Sequence, residues 1–404
     1  VTPSLLIIIA LGQAPARVTL IFGGDVIPHD PVKQVASVRA KTGDVDNNAG
    51  WDHVLGPLSP VLRRADVAVV NLETPIVTLK KPETGDMVFN AQPPLLSALK
   101  RAGVDVATFA NNHCLDQHRE GITATREYLT QAQLLSAGAD VNEAAAWTPL
   151  IIEKHGLRIG LLAVTRWLNG FNNKKDPALP HVPAVPYPIE PIIGGHSVDD
   201  FLATVRARAA EVDVLLVSIH WGAEYKFAPA PEDRKLAKQM LDAGAFAVIG
   251  HHPHVLQPVE FLERSQGGKG LVVFSLGNLV SNQDFADANG AKRDGLLVEL
   301  ELVRETEGGP VRLESVKGVP IGTENKLGRG RKRNVQAVLL DEELAAMEAR
   351  LIELAGRADG LSREERKTLE ARRRVALDRR ARIAGFVLPG MLEPVATPAV
   401  MAQP

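Results

Sequence analysis

One cysteine in 404 residues, Cys114, excludes an internal disulfide and any cysteine-rich zinc site. Aromatic residues are scarce at 4%, which argues against a stacking platform for bases or sugars. Neither sign of charge dominates. The 46 Lys and Arg face 48 Asp and Glu, and a net charge of −2 is unlike a dedicated nucleic-acid binder. That near-neutrality is a cancellation, because residues 363–382 hold nine basic and four acidic residues and the rest of the chain is acidic. No internal run is long and apolar enough to span a bilayer. What is present is an ordinary globular mixture, 45% hydrophobic and 23% charged. Its length suits one large domain or a few smaller ones and needs no covalent staples.

The N-terminus reads LLIIIAL from Leu5 to Leu11, followed by Ala14-Pro15-Ala16. An apolar stretch before a small-x-small site resembles a secretory signal lacking its positive flank. Residues 1–17 therefore read as a signal or anchor, with a mature chain beginning near Arg17 and an exported, periplasmic or envelope location. The alternative is a first core element and a cytoplasmic protein.

Apolar runs recur at Val18–Phe22, Val67–Val70, Val104–Phe109, Ile159–Val164, Val212–Ile219, Phe246–Ile249 and Leu271–Leu276. They are rich in Val, Ile and Leu without alternation, as strands buried on both faces are. Helix-like segments lie between them: Pro93–Gly103 opens on proline and closes on glycine, and Glu120–Ala132 and Pro231–Gly244 have similar periodicity. The pattern predicts an α/β layered domain. Gly170–Gly195 holds six prolines, which prevents helix and central strand and predicts a long surface excursion. It reads as a substrate-contacting loop or as a plain insertion. The domain is expected over 18–325, a charged helical extension over 326–386, and a disordered tail rich in Pro and Ala over 387–404. The extension begins with the basic linker Gly328–Arg333. A helix follows with Leu344, Met347, Leu351 and Leu354 on one face, then a second with a capping-box pattern at Ser362 and Glu365.

The polar residues that follow the apolar runs carry the chemistry. Asp25, Glu73, Asn111-Asn112-His113, His220-Trp221, His252-x-His254 and Asn278 each come directly after a predicted strand. Ligands of open α/β sheets bind beyond the carboxyl ends of strands. Imidazoles, carboxylates and an amide carbonyl suit Zn, Mn or Fe. Two such ions can clamp the attacking and leaving oxygens of a hydrolysis. Each piece alone also has a structural reading: Asp25 as a helix cap, Glu73 as a surface residue, Asn111-Asn112 as a turn, His220 as a core histidine packed on Trp221. Their joint occurrence at strand ends points to a metal site.

The segments GGDVIPHD (23–30), NLETPI (71–76), FNAQPPLLSALKRAGVDVATFANNHCLD (89–116), SIHWGAEY (218–225), IGHHPHVLQPVE (249–260) and FSLGNLVSNQ (274–283) together resemble the CapA capsule-biosynthesis family, linked to poly-γ-glutamate. That family lies within the calcineurin-like metallophosphatase superfamily. The resemblance implies a four-layer α-β-β-α sandwich of the metallo-dependent phosphatase type. It implies Asp25, Glu73 and His254 at a first metal, Asn112, His220 and His252 at a second, and Glu73 bridging. His113 becomes the acid/base, with Asp116 beside it. Asn111, Trp221, Glu224 and Asn278 become substrate-binding or pocket residues. One departure matters: related phosphatases carry a ligand His where Ile27 stands, so one divalent ion is a reading beside two. His29 reads as a turn residue, His251 as no ligand, and Cys114 as a buried small residue.

A metal-dependent hydrolase follows, acting by activated water on a phosphoester or on the γ-glutamyl amides of an anionic polymer. Arg166, Lys174 and Lys175 are candidate contacts for such a polymer. The alternative is a non-catalytic metal-binding or scaffold component of an envelope assembly, with capsule synthesis or export proteins as partners. The basic segment near the C-terminus reads as a solvated mixed-charge helical hairpin or as a contact for anionic lipid, polymer or nucleic acid.

Overall fold

The computed structural model describes residues 15–40, 49–78, 82–85, 87–283, 290–327, 333–355 and 360–394. The expected signal up to residue 14, the linker at 328–332 and the tail from 395 lie outside the described residues. Two sheets form. The first has the order β14-β13-β12-β1-β2-β3-β4. It is built from β1 (Ala16–Val26), β2 (Val67–Leu72), β3 (Val106–Phe109), β4 (Leu135–Gly138), β12 (Asp294–Arg304), β13 (Val311–Leu327) and β14 (Arg333–Leu339). The second has the order β5-β6-β7-β8-β10-β9. Its strands are β5 (Leu150–Lys154), β6 (Leu157–Thr165), β7 (Val214–His220), β8 (Ala247–His251), β9 (Leu256–Glu263) and β10 (Lys269–Leu276). The short β11 (Asn278–Val280) leaves β10 and pairs with β1, so the chain steps from one sheet to the other there.

Side-chain direction explains the layers. Along β1, Leu20 and Phe22 face the second sheet while Ile21 faces helices. Alternate residues of a strand point to opposite faces, so a strand buried on both shows an unbroken apolar run. Between the sheets, Val18, Leu20, Phe22 and Val69 meet Ile159, Leu216, Ile249 and Val273. Helices α1 (Asp30–Ala40), α2 (Ala49–Leu55), α3 (Ser59–Leu62) and α4 (Pro94–Ala102) cover the outside of the first sheet. The other flanking helices are α5 (His118–Gln131), the short α6 (Glu143–Ala146), α7 (Val198–Ala209) and α8 (Pro231–Asp242). Phe201 and Val205 of α7 and Leu236 and Met240 of α8 cover the outside of the second sheet. The expected α-β-β-α order is present. The Pro-rich excursion forms no helix or named strand and runs back beside β6 through a Thr165–Ala184 bridge.

Two glycines let the sheets meet. A Cβ on Gly24 would lie 2.0 Å from the Gly277 carbonyl oxygen, and Gly277 itself has φ +64°. No other residue permits that approach and that backbone together. Asp25 N donates to Gly277 O at 3.1 Å across the contact.

The C-terminal region differs from expectation in two places. Residues 333–339, expected within a helical extension, form β14 on the edge of the first sheet, paired with β13. The alternating burial of Val335 and Ala337 against the α1–α4 layer supplies the reason. Residues 387–394, expected in a disordered tail, pack on the fold: Met391 is buried and its carbonyl accepts from Gly318 N at 2.8 Å. The two expected helices are α9 (Leu340–Ala355) and α10 (Gly360–Ala384), packed through Leu344, Met347 and Ala376. The arginines of α10 are largely spent on acids of this chain. Arg372, Arg373 and Arg380 pair with Glu343, Glu348 and Asp341 on α9. Arg379, buried, places Nε 2.7 Å from Asp294 Oδ1 and Nη2 2.8 Å from the Arg293 carbonyl. Arg382 reaches Asp294 Oδ2 at 2.6 Å.

Removing Arg379 from this buried ion cluster leaves Arg382 alone to compensate the Asp294 carboxylate. Arg379→Ala should therefore lower the unfolding free energy by about 3 kcal/mol. A urea titration reads this, and an unchanged midpoint would mean that α10 is held elsewhere.

Candidate metal centre

The ends of β1, β2 and β3 meet those of β7, β8 and β10 at one edge of the sandwich. Asp25, Glu73, Asn112, His113, His220, His252 and His254 are brought together there, all buried. Asp25 Oδ1 accepts from Asn71 Nδ2 at 2.8 Å, and Oδ2 accepts from the backbone N of His252 at 3.2 Å. His254 Nδ1 donates to Asn278 Oδ1 at 3.2 Å, which turns the lone pair of Nε2 toward Glu73 Oε1, 3.7 Å away. His220 Nε2 lies 2.8 Å from Asn112 Oδ1, 3.0 Å from His252 Nδ1 and 3.4 Å from Glu73 Oε1.

The bend that carries the paired histidines is strained. His252 and His254 have φ of 97° and 55°, and Tyr225, whose N donates to Pro253 O at 2.8 Å, has φ 61°. Side chains with a Cβ rarely adopt such angles, at a cost of about 1–3 kcal/mol each, and such residues cluster at functional sites.

Charges in the site are set by burial. Both carboxylate oxygens of Glu73 are buried with no hydrogen-bond partner. Burial, with the negative charges of Asp25 and Glu224 adding to it, pushes the Glu73 carboxyl well above the usual range. Burial works on Asp25 in the same sense, but the imidazoles of His251 and His254, 3.2 and 3.3 Å away, hold it well below that range. Burial keeps His220 and His252 neutral, with His252 lowered to about 3.

A buried carboxylate without donors is costly, and the imidazoles nearest it, 3.4 and 3.7 Å away, leave it without a hydrogen bond. A divalent cation resolves this. Ions bound at about 2.0–2.2 Å hold ligand atoms about 3–3.5 Å apart, close to the separations around His220 Nε2. Two donor sets converge within 4.8 Å, Glu73 with His252 and His254, and Asp25 with Glu73 and His220, and Glu73 belongs to both. The residues present therefore fit a metal.

Beside this cluster, His113 Nδ1 donates to Asp116 Oδ2 at 2.7 Å, and the same oxygen accepts from Phe89 N at 2.6 Å. The Phe89 ring stacks on the imidazole at 4.0 Å.

The sequence profile described as "Bacterial capsule synthesis protein PGA_cap" matches residues 19–283. The chain belongs to this capsule synthesis family. It is similar to "Capsule biosynthesis protein CapA" of Bacillus anthracis, 28% identical over 298 residues, covering 71% of this chain and 64% of that protein. It is also similar to "PGA biosynthesis protein CapA" of Bacillus subtilis (strain 168), 30% identical over 268 residues and 65% of each chain. The chain thus spans just under two thirds of the length of these relatives. Among solved structures, a phosphatase from Mycoplasma pneumoniae aligns over 75% of this chain and 93% of its own, with 13% identity and a TM-score of 0.41.

Within this member of the capsule synthesis family, several expected pocket residues face elsewhere. Trp221 lies in the core beneath the second sheet's helices, its Nε1 donating to Phe274 O at 2.9 Å. Asn111 spends its amide inside the fold, on Leu72 O, Asn71 Oδ1 and the backbone N of His113. Asn278 is fully buried and braces His254 instead of forming a rim. Glu224 is half-buried, and its charge adds to burial in raising the pKa of the neighbouring Tyr225 hydroxyl. Arg166 is buried against the Tyr187 ring and Asp233, so it offers no charge to a polymer. Cys114 is buried, and that burial pushes its thiol far up and leaves it unreactive.

Other residues escaped the sequence reading. Trp167, from the loop after β6, puts its indole 6.3 Å from the His252 ring and donates to Gly222 O at 2.8 Å. Asn169 accepts from Asn112 Nδ2 at 3.1 Å. Asn71 bonds Asp25 from the strand itself. His29, read from the sequence as a turn residue, takes a bond from Asn282 N at 3.1 Å and meets the Phe89 ring edge-on; burial lowers its pKa to about 4. Only the placement of Asn71 directly before Leu72-Glu73 was a usable signal.

Glu73→Gln should lose metal yet raise the melting temperature of the metal-free protein by a few degrees, since the amide carries no charge to bury. The pH dependence has a definite sign. A carboxyl raised in the folded state takes up a proton on folding at neutral pH, and this penalty vanishes below its ordinary value. The gap between Glu73→Gln and wild type should shrink as pH falls from 7 toward 4.5. Calorimetric scans with chelator test this, and a constant gap would show that the Glu73 carboxyl is not raised.

Proposed function

We propose that the protein is a metal-dependent hydrolase of capsule or poly-γ-glutamate metabolism that cleaves a phosphoester or a γ-glutamyl amide. The observation that carries this reading is the buried, donor-free carboxylate of Glu73 at the centre of convergent imidazole, carboxylate and amide groups. In this reading Glu73, His252 and His254 would hold one divalent ion, Mn, Zn or Fe, and Asp25, Glu73 and His220 a second with Asn112 beside it, which regroups the ligand sets that the resemblance implies. When bound, such ions polarise an ester or amide oxygen and lower the pKa of water.

The chain's own residues supply the rest. Asp116 keeps a proton on His113 Nδ1 and fixes the ring, so Nε2 is the atom that gives or takes a proton at the leaving group. Phe89 stacks on that ring and limits its movement and hydration. Trp167 supplies one wall of the site. Tyr225, with Lys292 Nζ 4.0 Å from its ring centroid, supplies another, and Glu224 stands beside it. The exposed Lys174 and Lys175 of the Pro-rich excursion are candidate contacts for an anionic chain.

The hydrolase unit runs from residue 18 through β14, beyond the boundary expected at 325, with α9 and α10 docked on it. The family's description supports work at the cell envelope beside proteins that make or export the polymer. Among the described residues no helix is long and apolar enough to cross a membrane.

Elemental analysis after loading with Mn or Zn should find at least one ion per chain. A panel of phosphomonoesters, phosphodiesters and γ-glutamyl polymers then identifies the bond cleaved. His113→Ala should cut turnover by about 100-fold or more while keeping its metal. Full activity in that variant overturns the acid/base role. Metal without turnover on any panel member would replace the hydrolase with a metal-binding scaffold.

A further inference from the structure

We propose that Asn71 is a positioning residue that confines Asp25 to one presenting oxygen and ties it to the loop bearing His113. The inference rests on the metal reading above. Asn71 sits on β2, is buried, and uses both ends of its amide. Its Nδ2 donates to Asp25 Oδ1 at 2.8 Å. Its Oδ1 accepts from Asn111 Nδ2 at 3.2 Å and from Thr108 Oγ1 at 3.4 Å. Asn111 Oδ1 in turn accepts from the backbone N of His113 at 3.2 Å. Two amides in series, Asn71 and Asn111, thus span from the Asp25 carboxylate to the residue that begins the proton-transfer pair.

The consequence for Asp25 is directional. A free carboxylate can present either oxygen or both to a cation. Here Oδ1 is turned to Asn71, while Oδ2 faces the His252 backbone and lies 3.3 Å from His254 Nδ1. Asn71 Nδ2 also stands 3.4 Å from His220 Nδ1, so the same amide touches two members of one convergent donor set, Asp25 and His220. Partners of this kind fix ligand orientation, and their loss costs metal affinity about tenfold or more.

Calorimetric titration of metal-free protein with Mn tests the link. Asn71→Ala should weaken binding by about tenfold or more. In an Asp25→Asn background the same change should add less than about twofold, because effects that run through one residue are not additive. Thr108→Ala removes a neighbouring bond of the same amide and serves as the structural control. It should lower the melting temperature and leave Mn affinity unchanged. Asn71→Ser leaves a smaller hole and replaces Asn71→Ala should that variant fail to fold; its hydroxyl cannot span both Asp25 and Asn111. Unchanged affinity in the Asn71 variants, or a full additive loss in the Asp25→Asn background, overturns the proposal while leaving the metal centre standing. Wild-type protein that binds neither Mn nor Zn overturns both.

Discussion

The close contact of Gly24 with Gly277 is the constraint on which the rest depends. Two sheets packed face to face normally stay about 10 Å apart, held off by their side chains. Here backbone meets backbone, because one glycine lacks the Cβ that would strike the other's carbonyl. The chain crosses between sheets at that point, from β10 into β11, and Asp25 and Asn278 fall in register across it. Strand ends from both sheets are thereby drawn to one edge. The metal-type residues reach one another from strand ends and the short bends that follow them.

That edge is built against the usual economy of a core. A carboxylate without donors, two left-handed histidines and the buried neutral imidazoles of His220 and His252 all destabilise the chain locally. The compensation lies in the layers around them, where three large clusters of aliphatic side chains pack both faces of both sheets. A rigid surrounding is what allows strained and uncompensated groups to persist.

Much of this was legible in the sequence, for a definite reason. Unbroken Val, Ile and Leu runs announce strands buried on both faces, and the polar residue after each run must lie at a strand end. Facing is another matter. Trp221 follows His220 directly, yet adjacent residues of an extended chain point to opposite sides, so one enters the site and the other the core. Asn278 and Asn111 share a similar history: an amide near a site either meets a ligand or braces a neighbour, and only packing decides. Trp167 and Asn169 were invisible because the loop that brings them carries no periodicity. β14 was hidden behind a basic, glycine-bearing linker that reads as the start of something separate.

The arginines of α10 have a consequence for kinetics. Arg372, Arg373, Arg379, Arg380 and Arg382 are matched with carboxylates of this chain, so the local excess of positive charge projects only a weak field outward. The remainder of the sequence carries a net negative charge. A polyanion would therefore find no long-range attraction to steer its approach. With a net charge of only −2 on the chain, the association rate would change little with ionic strength. Capture would then rest on short-range contacts at the buried centre.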